Sequence, residues 1–250
     1  MDQESDPGAT AAPHPIAVRR LGIVPYREVW ELQKQLQRSL IDGADQDTIL
    51  VCQHPPTITA GRATKPENLL TDPESLRSQG IEYYEIERGG DLTYHGPGQI
   101  VVYPILNLAR YRRDVGWYMR TLEESVIQSC LEYGIVAVRY PGRTGVWIDA
   151  GPEVSPRWRK ISSQGVRISR WCTLHGIACN VTETGAGFRQ INPCGYTDVG
   201  ITSVAAELST DDCPAVEEFG EVITSHLTGL LREASSLQPS SRGSRTEGTG

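Results

Sequence analysis

The 250-residue sequence lacks any apolar run close to the roughly 18 residues that span a membrane. Its six cysteines form no Cys-x-x-Cys pair and no Cys/His spacing typical of a zinc site. Residues 1–15 carry acidic side chains and no apolar stretch, which predicts neither a secretory signal nor an arginine-rich transit peptide. We therefore expect a cytoplasmic protein with reduced thiols, no metal site and no membrane association.

Length and composition predict one domain with disordered ends. A hydrophobic content of 38% over 250 residues suits a single substantial core. Residues 234–250 contain one leucine among Ser, Gly, Arg and Thr, too few apolar groups to offset the entropy lost on ordering. We expect this tail and residues 1–15 to be disordered, around one folded domain at residues 16–233.

A formal charge of −7 conceals one basic segment. Residues 110–170 hold eleven Arg and Lys against six acidic residues, so the remainder of the chain is strongly acidic. A local basic surface of this kind indicates an acidic macromolecular partner, although simply solvated arginines give the same pattern. The negative total charge disfavours nucleic acid as that partner.

Hydrophobic periodicity predicts an α+β fold, with about three main helices packed against one mixed or antiparallel sheet. Turn residues separate several short strands in the second half of the chain, which argues against repeated βαβ units. The predicted helices span residues 26–41, 117–133 and 214–232. The predicted strands span residues 16–23, 48–52, 81–87, 100–106, 136–139, 144–148, 160–169 and 173–181.

Residues 88–99, Arg-Gly-Gly-Asp-Leu-Thr-Tyr-His-Gly-Pro-Gly-Gln, have the composition of a loop that leads into a buried strand. Glycines allow backbone N–H groups to approach a ligand closely, because no Cβ atom intervenes. Arg88 and His95 supply polar groups on either side. The segment is therefore a candidate binding loop, and a glycine-rich hairpin with a buried histidine is the structural alternative.

Two further side chains are candidates for chemistry. Cys194 lies in an Asn-Pro-Cys-Gly turn, a setting that tends to expose a thiol, and a thiol nucleophile must be partly ionised near neutral pH. Lys160 opens a predicted strand, and a lysine can lower a thiol pKa and then carry its proton. A solvated surface lysine is the alternative for Lys160. His175 lies in an apolar strand, which is more typical of a buried structural histidine with its hydrogen bonds satisfied.

Seven segments in combination resemble the octanoyl-acyl-carrier-protein:protein N-octanoyltransferases, also called lipoate-protein ligase B. Each motif alone is weak, but together they occur in the family's order over roughly residues 18–232. They are Gln-His-Pro-Pro-Thr…Gly-Arg (53–62), Arg-Gly-Gly-x-x-Thr-Tyr-His-Gly-Pro-Gly-Gln (88–99), Gly-Arg-Thr-Gly-Val-Trp (142–147), Arg-Lys-Ile…Gly-Val-Arg (159–167), Leu-His-Gly-x-Ala-x-Asn (174–180), Asn-Pro-Cys-Gly (192–195) and Ile-Thr-Ser-Val (201–204).

The resemblance implies a biotin/lipoate protein ligase-like fold and a reaction that needs neither ATP nor another cofactor. Cys194 matches the nucleophile that carries the acyl thioester, and Lys160 matches the residue that lowers its pKa and handles protons. His175 is expected to support the site. The acyl pocket is implied to be lined by Arg88, Gly89, Gly90, Asp91, Leu92, Thr93, Tyr94 and His95, by Ser163, Gln164 and Gly165, and by Gly176, Ile177 and Ala178.

The implied reaction moves an octanoyl group from octanoyl-acyl carrier protein to a lysine ε-amine. The implied acceptors are the lipoyl domains of 2-oxoacid dehydrogenase complexes and the glycine cleavage H protein. Carrier proteins and many lipoyl domains are acidic, so the basic segment at residues 110–170 would suit them. One departure concerns Gln164, because family members usually have an aliphatic residue there, which puts the preferred acyl-chain length in doubt.

Three competing activities remain at this stage. An ATP-dependent lipoate or biotin ligase would share the fold but needs no nucleophilic cysteine, so Cys194 argues against it. A cysteine hydrolase acting on thioesters or amides would need a histidine near the thiol. A non-catalytic protein that binds lipoyl domains would require neither Cys194 nor Lys160.

Overall fold

The computed structural model describes residues 14–183, 185, 187–192, 199–208 and 213–237. Cys194 and most of both predicted tails lie outside these residues, so the predictions made for them stay untested. No described helix combines the length and apolarity needed to cross a membrane. The same part of the chain contains no cluster of three potential metal ligands.

Two sheets and three long helices dominate the described residues. The strands are β1 (Ile16–Ile23), β2 (Asp47–Gln53), β3 (Thr57–Ala60), β4 (Glu82–Glu85), β5 (Leu92–His95), β6 (Gln99–Ile105), β7 (Val138–Tyr140), β8 (Arg143–Asp149), β9 (Trp158–Ser169), β10 (Cys172–Asn180) and β11 (Gly200–Ile201). The helices are α1 (Tyr26–Ile41), α2 (Pro73–Ser78), α3 (Val115–Glu132), α4 (Val204–Glu207) and α5 (Val216–Ser236).

The main sheet has the strand order β1-β2-β6-β10-β9-β8-β7, with β11 beside β9. The pairs β1–β2 and β9–β11 are parallel and the others antiparallel, which confirms the predicted mixed sheet. β6 is buried on both faces, which explains its unbroken apolar run. Ile100 and Val102 enter the core formed with α3 and α5, whereas Val101 and Tyr103 enter the core formed with α1.

The helix ends follow local sequence signals. Asp114 begins α3 by accepting a hydrogen bond from the backbone N–H of Trp117. Gly134, at φ 75°, follows the end of this helix, as predicted for a glycine stop. The α5 helix continues to Ser236, four residues beyond the predicted helix end at residue 232. Ala234 still packs against the main core, which explains the extension.

A second, three-stranded sheet with the order β4-β3-β5 was not predicted. Its edge strand β5 consists of Leu92, Thr93, Tyr94 and His95, which the sequence analysis assigned to the glycine-rich loop. All four residues are buried and pair antiparallel with β3, so tertiary pairing overrides the glycines on either side. The predicted single loop is therefore two turns, at residues 88–91 and 96–98.

Candidate active site

The three predicted segments converge on one narrow cavity of about 60 Å³. The β9–β10 register explains part of this, because Gly165 lies opposite Gly176, Gln164 opposite Ile177 and Ser163 opposite Ala178. The cavity lining includes Arg88, Gly89, Gly90, Asp91, Leu92, Thr93, His95, Lys160, Ser163, Gln164, Gly165, His175, Gly176, Ile177 and Ala178. Tyr94 is the exception among the predicted residues, since its ring packs on Phe188 in the core of the small sheet.

The glycine-rich turn at residues 88–91 lies directly on strand β9. The backbone N–H of Gly89 donates to the carbonyl of Val166 at 2.9 Å. A Cβ atom on Gly165 would lie 3.0 Å from Arg88 Cδ and 3.1 Å from the Gly89 carbonyl oxygen. An alanine at residue 165 would therefore require the turn to move by a few tenths of an ångström, so glycine permits this close contact between turn and sheet.

Arg88 anchors the turn through hydrogen bonds of its guanidinium group. Its Nη2 donates to the backbone oxygen of Thr59 at 2.7 Å and to Thr59 Oγ1 at 3.0 Å. Its Nη1 donates to the carbonyl of Gly89 at 3.0 Å. The buried guanidinium thus joins the turn to strand β3, a long-range contact that its position in the sequence does not reveal.

His95 is held in its neutral form. Its Nδ1 lies 2.8 Å from Gln99 Oε1, while Gln99 Nε2 donates to the carbonyl of Tyr94 and to Asn180 Oδ1. Because Gln99 Oε1 is an acceptor, Nδ1 of His95 carries the ring proton. Burial lowers the pKa of His95 to about 3, so it is not a proton carrier near neutral pH.

A buried cysteine–histidine pair that the sequence analysis missed lies near the cavity. Cys52 Sγ is 3.6 Å from His54 Nε2, and that nitrogen is also 2.8 Å from the hydroxyl of Tyr103. Burial raises the pKa of the Cys52 thiol well above its ordinary value and lowers the pKa of His54 to about 4. The pair is therefore un-ionised and does not supply the dyad that a cysteine hydrolase requires.

The other described thiols are no better suited to nucleophilic chemistry. Cys130, Cys172 and Cys179 are buried, and Cys213 is partly exposed. Burial raises the pKa of each of these thiols, to about 12 for Cys130. Among the described cysteines, none has the lowered pKa that marks a reactive thiol.

Lys160 is buried in the wall between the narrow cavity and a neighbouring cleft. Its Nζ lies 5.0 Å from the centre of the Trp147 ring on β8, a distance suited to a cation–π contact. Beneath it is Gly145, at φ 124°, whose missing Cβ would lie 2.4 Å from Lys160 Cε and 2.8 Å from the Ser162 carbonyl oxygen. The backbone of strand β8 therefore leaves room for the Lys160 side chain only while residue 145 is glycine.

Gly145→Ala is expected to displace the Lys160 amine and to lower acyl transfer by about 10- to 100-fold, because small misplacements of reacting groups are costly. Gly43→Ala is the matched control, since Gly43 has φ 103° and no atom within 4 Å of an added Cβ. Both variants strain the backbone, but only Gly145→Ala should change the transfer rate per folded molecule. An equal loss in both variants, or a further loss when Gly145→Ala is added to Lys160→Ala, would contradict this account.

His175 is buried as expected, but its hydrogen bonds are not satisfied. Its backbone is left-handed at φ 63°, and its N–H donates to Gln33 Oε1 at 2.9 Å. Neither ring nitrogen has a hydrogen bond within the described residues, and the Glu87 carboxylate lies 3.8 Å from Nε2. Burial lowers the pKa of His175, so a neutral imidazole faces the cavity.

Gln164 lines both the narrow cavity and the cleft. The Ser162 hydroxyl donates to the carbonyl of Ala178 at 3.0 Å, so it accepts from Gln164 Nε2 at 3.1 Å. This arrangement fixes the amide and leaves the buried Oε1 with no hydrogen-bond partner among the described residues. An alkyl chain filling the cavity cannot supply the missing donor.

Gln164→Leu is expected to favour an eight-carbon over a six-carbon acyl chain. The substitution removes a buried acceptor that costs about 1–3 kcal/mol when it has no hydrogen bond. Each 1.4 kcal/mol corresponds to about tenfold in the ratio of products. Hexanoyl and octanoyl donors competing in one reaction measure this ratio directly. An unchanged ratio would mean that Gln164 does not influence chain selection.

The cleft beside the narrow cavity is open and larger, at about 670 Å³. Lys65 and Asn68 border it on one side, and Met119 and Thr144 on another. It shares six lining residues with the narrow cavity: Gly89, Gly90, Asp91, Lys160, Gln164 and Gly165. A molecule reaching through both spaces would therefore pass Lys160.

Ion pairs with carboxylates elsewhere in the chain neutralise part of the basic segment at residues 110–170, because the partners of Arg110 and Arg159 lie outside it. Arg110 contacts Asp47 at 2.8 Å, Arg139 contacts Glu124 at 2.8 Å, and Arg159 contacts Glu207 at 2.8 Å. Arg112 and Arg157 also pair with nearby acidic residues. The segment therefore offers an acidic partner less positive charge than its composition indicates.

Comparison with known proteins gives the family and the fold. The lipoyl protein ligase A/B catalytic domain matches residues 25–228. An octanoyltransferase of Christiangramia forsetii is 40% identical over 228 residues, which cover 87% of this chain and 96% of the relative. One of Chloroflexus aggregans is 40% identical over 217 residues, covering 86% and 95%.

Solved structures share the architecture at low sequence identity. Lipoate-protein ligase A bound with ATP has a TM-score of 0.67 at 15% identity, covering 88% of this chain and 86% of that one. A biotin protein ligase from Aquifex aeolicus in complex with biotin and ATP has a TM-score of 0.50 at 14% identity, covering 90% and 73%. The expected biotin/lipoate protein ligase-like fold is confirmed.

Proposed function

Because the chain belongs to the family of octanoyltransferases with the lipoyl protein ligase A/B catalytic domain, we propose that Cys194 carries the octanoyl group as a thioester. The proposed donor is octanoyl-acyl carrier protein, and the acceptor is a lysine ε-amine of a lipoyl domain. Lipoyl domains of 2-oxoacid dehydrogenase complexes and the glycine cleavage H protein are the acceptors that we propose. The reaction would take place in the cytoplasm and would consume no ATP.

The observation that carries this proposal is the junction of the two cavities at Lys160. The narrow cavity, of about 60 Å³, is the proposed seat of the alkyl chain, and the open cleft, of about 670 Å³, leaves room for the group attached to that chain. An acyl chain seated in the narrow cavity would hold its thioester near Lys160. Asn192, two residues before Cys194 in the sequence, donates its N–H to the carbonyl of Asn68 at the cleft wall, and Ile201 pairs with Lys160.

The first half-reaction transfers the acyl group to the enzyme. Lys160 accepts the proton of the Cys194 thiol, and the thiolate attacks the carbonyl carbon of the donor thioester. The tetrahedral intermediate collapses when the bond between that carbon and the carrier sulfur breaks. The carrier thiolate then takes the proton from Lys160. Thioester exchange is nearly isoenergetic, so the enzyme contributes mainly positioning and thiolate formation.

The second half-reaction forms the amide. The acceptor ammonium gives one proton to Lys160, and the resulting amine attacks the carbonyl of the acyl-enzyme. The intermediate then collapses as the bond between the carbonyl carbon and the Cys194 sulfur breaks. Lys160 returns its proton to that sulfur, and the second nitrogen proton leaves to solvent. Backbone N–H groups of the glycine-rich turn other than that of Gly89, which donates to Val166, are the proposed oxyanion donors.

Intact mass spectrometry tests this function. Purified protein mixed with octanoyl-carrier protein, without nucleotide, should gain the mass of one octanoyl group, and hydroxylamine should remove it. Peptide mapping should locate the group on Cys194, and adding a lipoyl domain should move it to that domain. An adduct on another cysteine, or transfer that requires ATP and free octanoate, would refute the proposal.

A further inference from the structure

Asp91 holds a buried carboxylate where the narrow cavity meets the cleft. The residue is 8% exposed, and it lines both spaces. It follows Gly90 in the turn that Arg88 anchors to strand β3. The family motif leaves this position variable, so the resemblance assigns Asp91 no role beyond lining the pocket.

Only one oxygen of this carboxylate has a hydrogen bond. Asp91 Oδ2 accepts from Asn68 Nδ2, whereas Oδ1 is buried and has no partner within the described residues. An unpaired carboxylate oxygen away from water is costly, and native proteins seldom leave one without a reason. Because Asp91 lines both spaces, this oxygen is a candidate acceptor for a ligand with N–H donors.

The two substrates of the proposed reaction differ in charge at this point. The acyl chain carries no donor, but the acceptor lysine arrives as an ammonium with three N–H donors. A hydrogen bond between an ammonium and a carboxylate is about twice as strong as one between neutral groups. The lysine side chain would enter through the open cleft, because the acyl chain fills the narrow cavity.

We propose that Asp91 Oδ1 binds the ε-ammonium of the acceptor lysine and positions it for attack on the acyl-enzyme. The inference rests on the proposed function. Lys160 takes the proton that the ammonium must lose and passes it to the departing Cys194 sulfur, so Asp91 acts by positioning the ammonium. Asp91 therefore acts in the second half-reaction and not in the first.

Asp91→Asn separates this role from a structural one. The amide oxygen still accepts from Asn68 Nδ2, while an NH2 group replaces Oδ1 and opposes an ammonium donor. We expect discharge of the acyl-enzyme to a lipoyl domain to slow by about 10- to 100-fold more than formation of the acyl-enzyme. Discharge by hydroxylamine, a neutral nucleophile near pH 7, should be unchanged.

Glu85→Gln is the matched control. Glu85 is exposed on strand β4 outside both cavities, so this variant removes one negative charge without touching them. Glu85→Gln should match the wild type in formation of the acyl-enzyme, in its discharge to a lipoyl domain and in its discharge by hydroxylamine. Equal slowing of acylation and discharge in Asp91→Asn, equal slowing of discharge with both nucleophiles, or wild-type discharge to the lipoyl domain would overturn the inference. Failure of the wild-type protein to form an acyl-enzyme would overturn the proposed function itself, and this inference with it.

Discussion

Cys194→Ser is expected to abolish octanoyl transfer, with a loss of roughly 10³-fold or more, since removing a nucleophile costs at least that in comparable enzymes. A serine hydroxyl is far less ionised than a thiol near neutral pH, and it exchanges poorly with a thioester. A stopped assay of octanoyl transfer to a lipoyl domain measures the rate. Mass spectrometry checks that no acyl group remains on the variant.

The described cysteines support this choice of nucleophile. Cys52, Cys130, Cys172 and Cys179 are buried with raised pKa values, so they are inert thiols. Cys213→Ser is the informative control, because Cys213 is the described thiol with the most exposure. It should keep the wild-type rate. Loss of transfer in Cys213→Ser with retention in Cys194→Ser would reverse the assignment.

Strands and helices that are indicated by the pattern of their own residues were predictable from the sequence. The bounds of β1 and α1 were correct, and α1 follows a helical period and begins directly after Pro25. The β9–β10 pair was predicted with small errors at its ends, and it brings two pocket segments together. The mixed sheet followed from short strands separated by turns.

Features that depend on distant contacts were not predictable. Leu92–His95 becomes a strand only because β3 lies beside it, and its flanking glycines gave the opposite signal. The position of the Lys160 side chain depends on Gly145 on another strand. The Asp91 carboxylate accepts a hydrogen bond from Asn68 in a separate turn. Motif order placed these segments in one candidate site, but only the fold shows which buried atoms of the described residues lack hydrogen-bond partners there.

Lys160→Arg is expected to lower octanoyl transfer by about 10²- to 10⁴-fold, the usual contribution of a positioned proton carrier. A guanidinium remains protonated near neutral pH, so it cannot accept the proton of the Cys194 thiol or of the incoming ammonium. Its positive charge still favours a thiolate, so alkylation of Cys194 by iodoacetamide should persist across the pH range. Lys160→Ala should lose both acyl transfer and the alkylation of Cys194 that depends on a nearby positive charge.

The control for this substitution is Lys34→Arg. Lys34 is a lysine of α1 whose Nζ lies 4.1 Å from the Trp30 ring centre, so it shares the cation–π setting of Lys160 but lies outside both cavities. It should transfer octanoyl groups at the wild-type rate. Because only an amine can release its proton near neutral pH, the divergence between thiol alkylation and acyl transfer in Lys160→Arg isolates proton transfer from charge. Wild-type transfer by Lys160→Arg would remove Lys160 from the mechanism and leave its burial beside Gly145 as a packing feature.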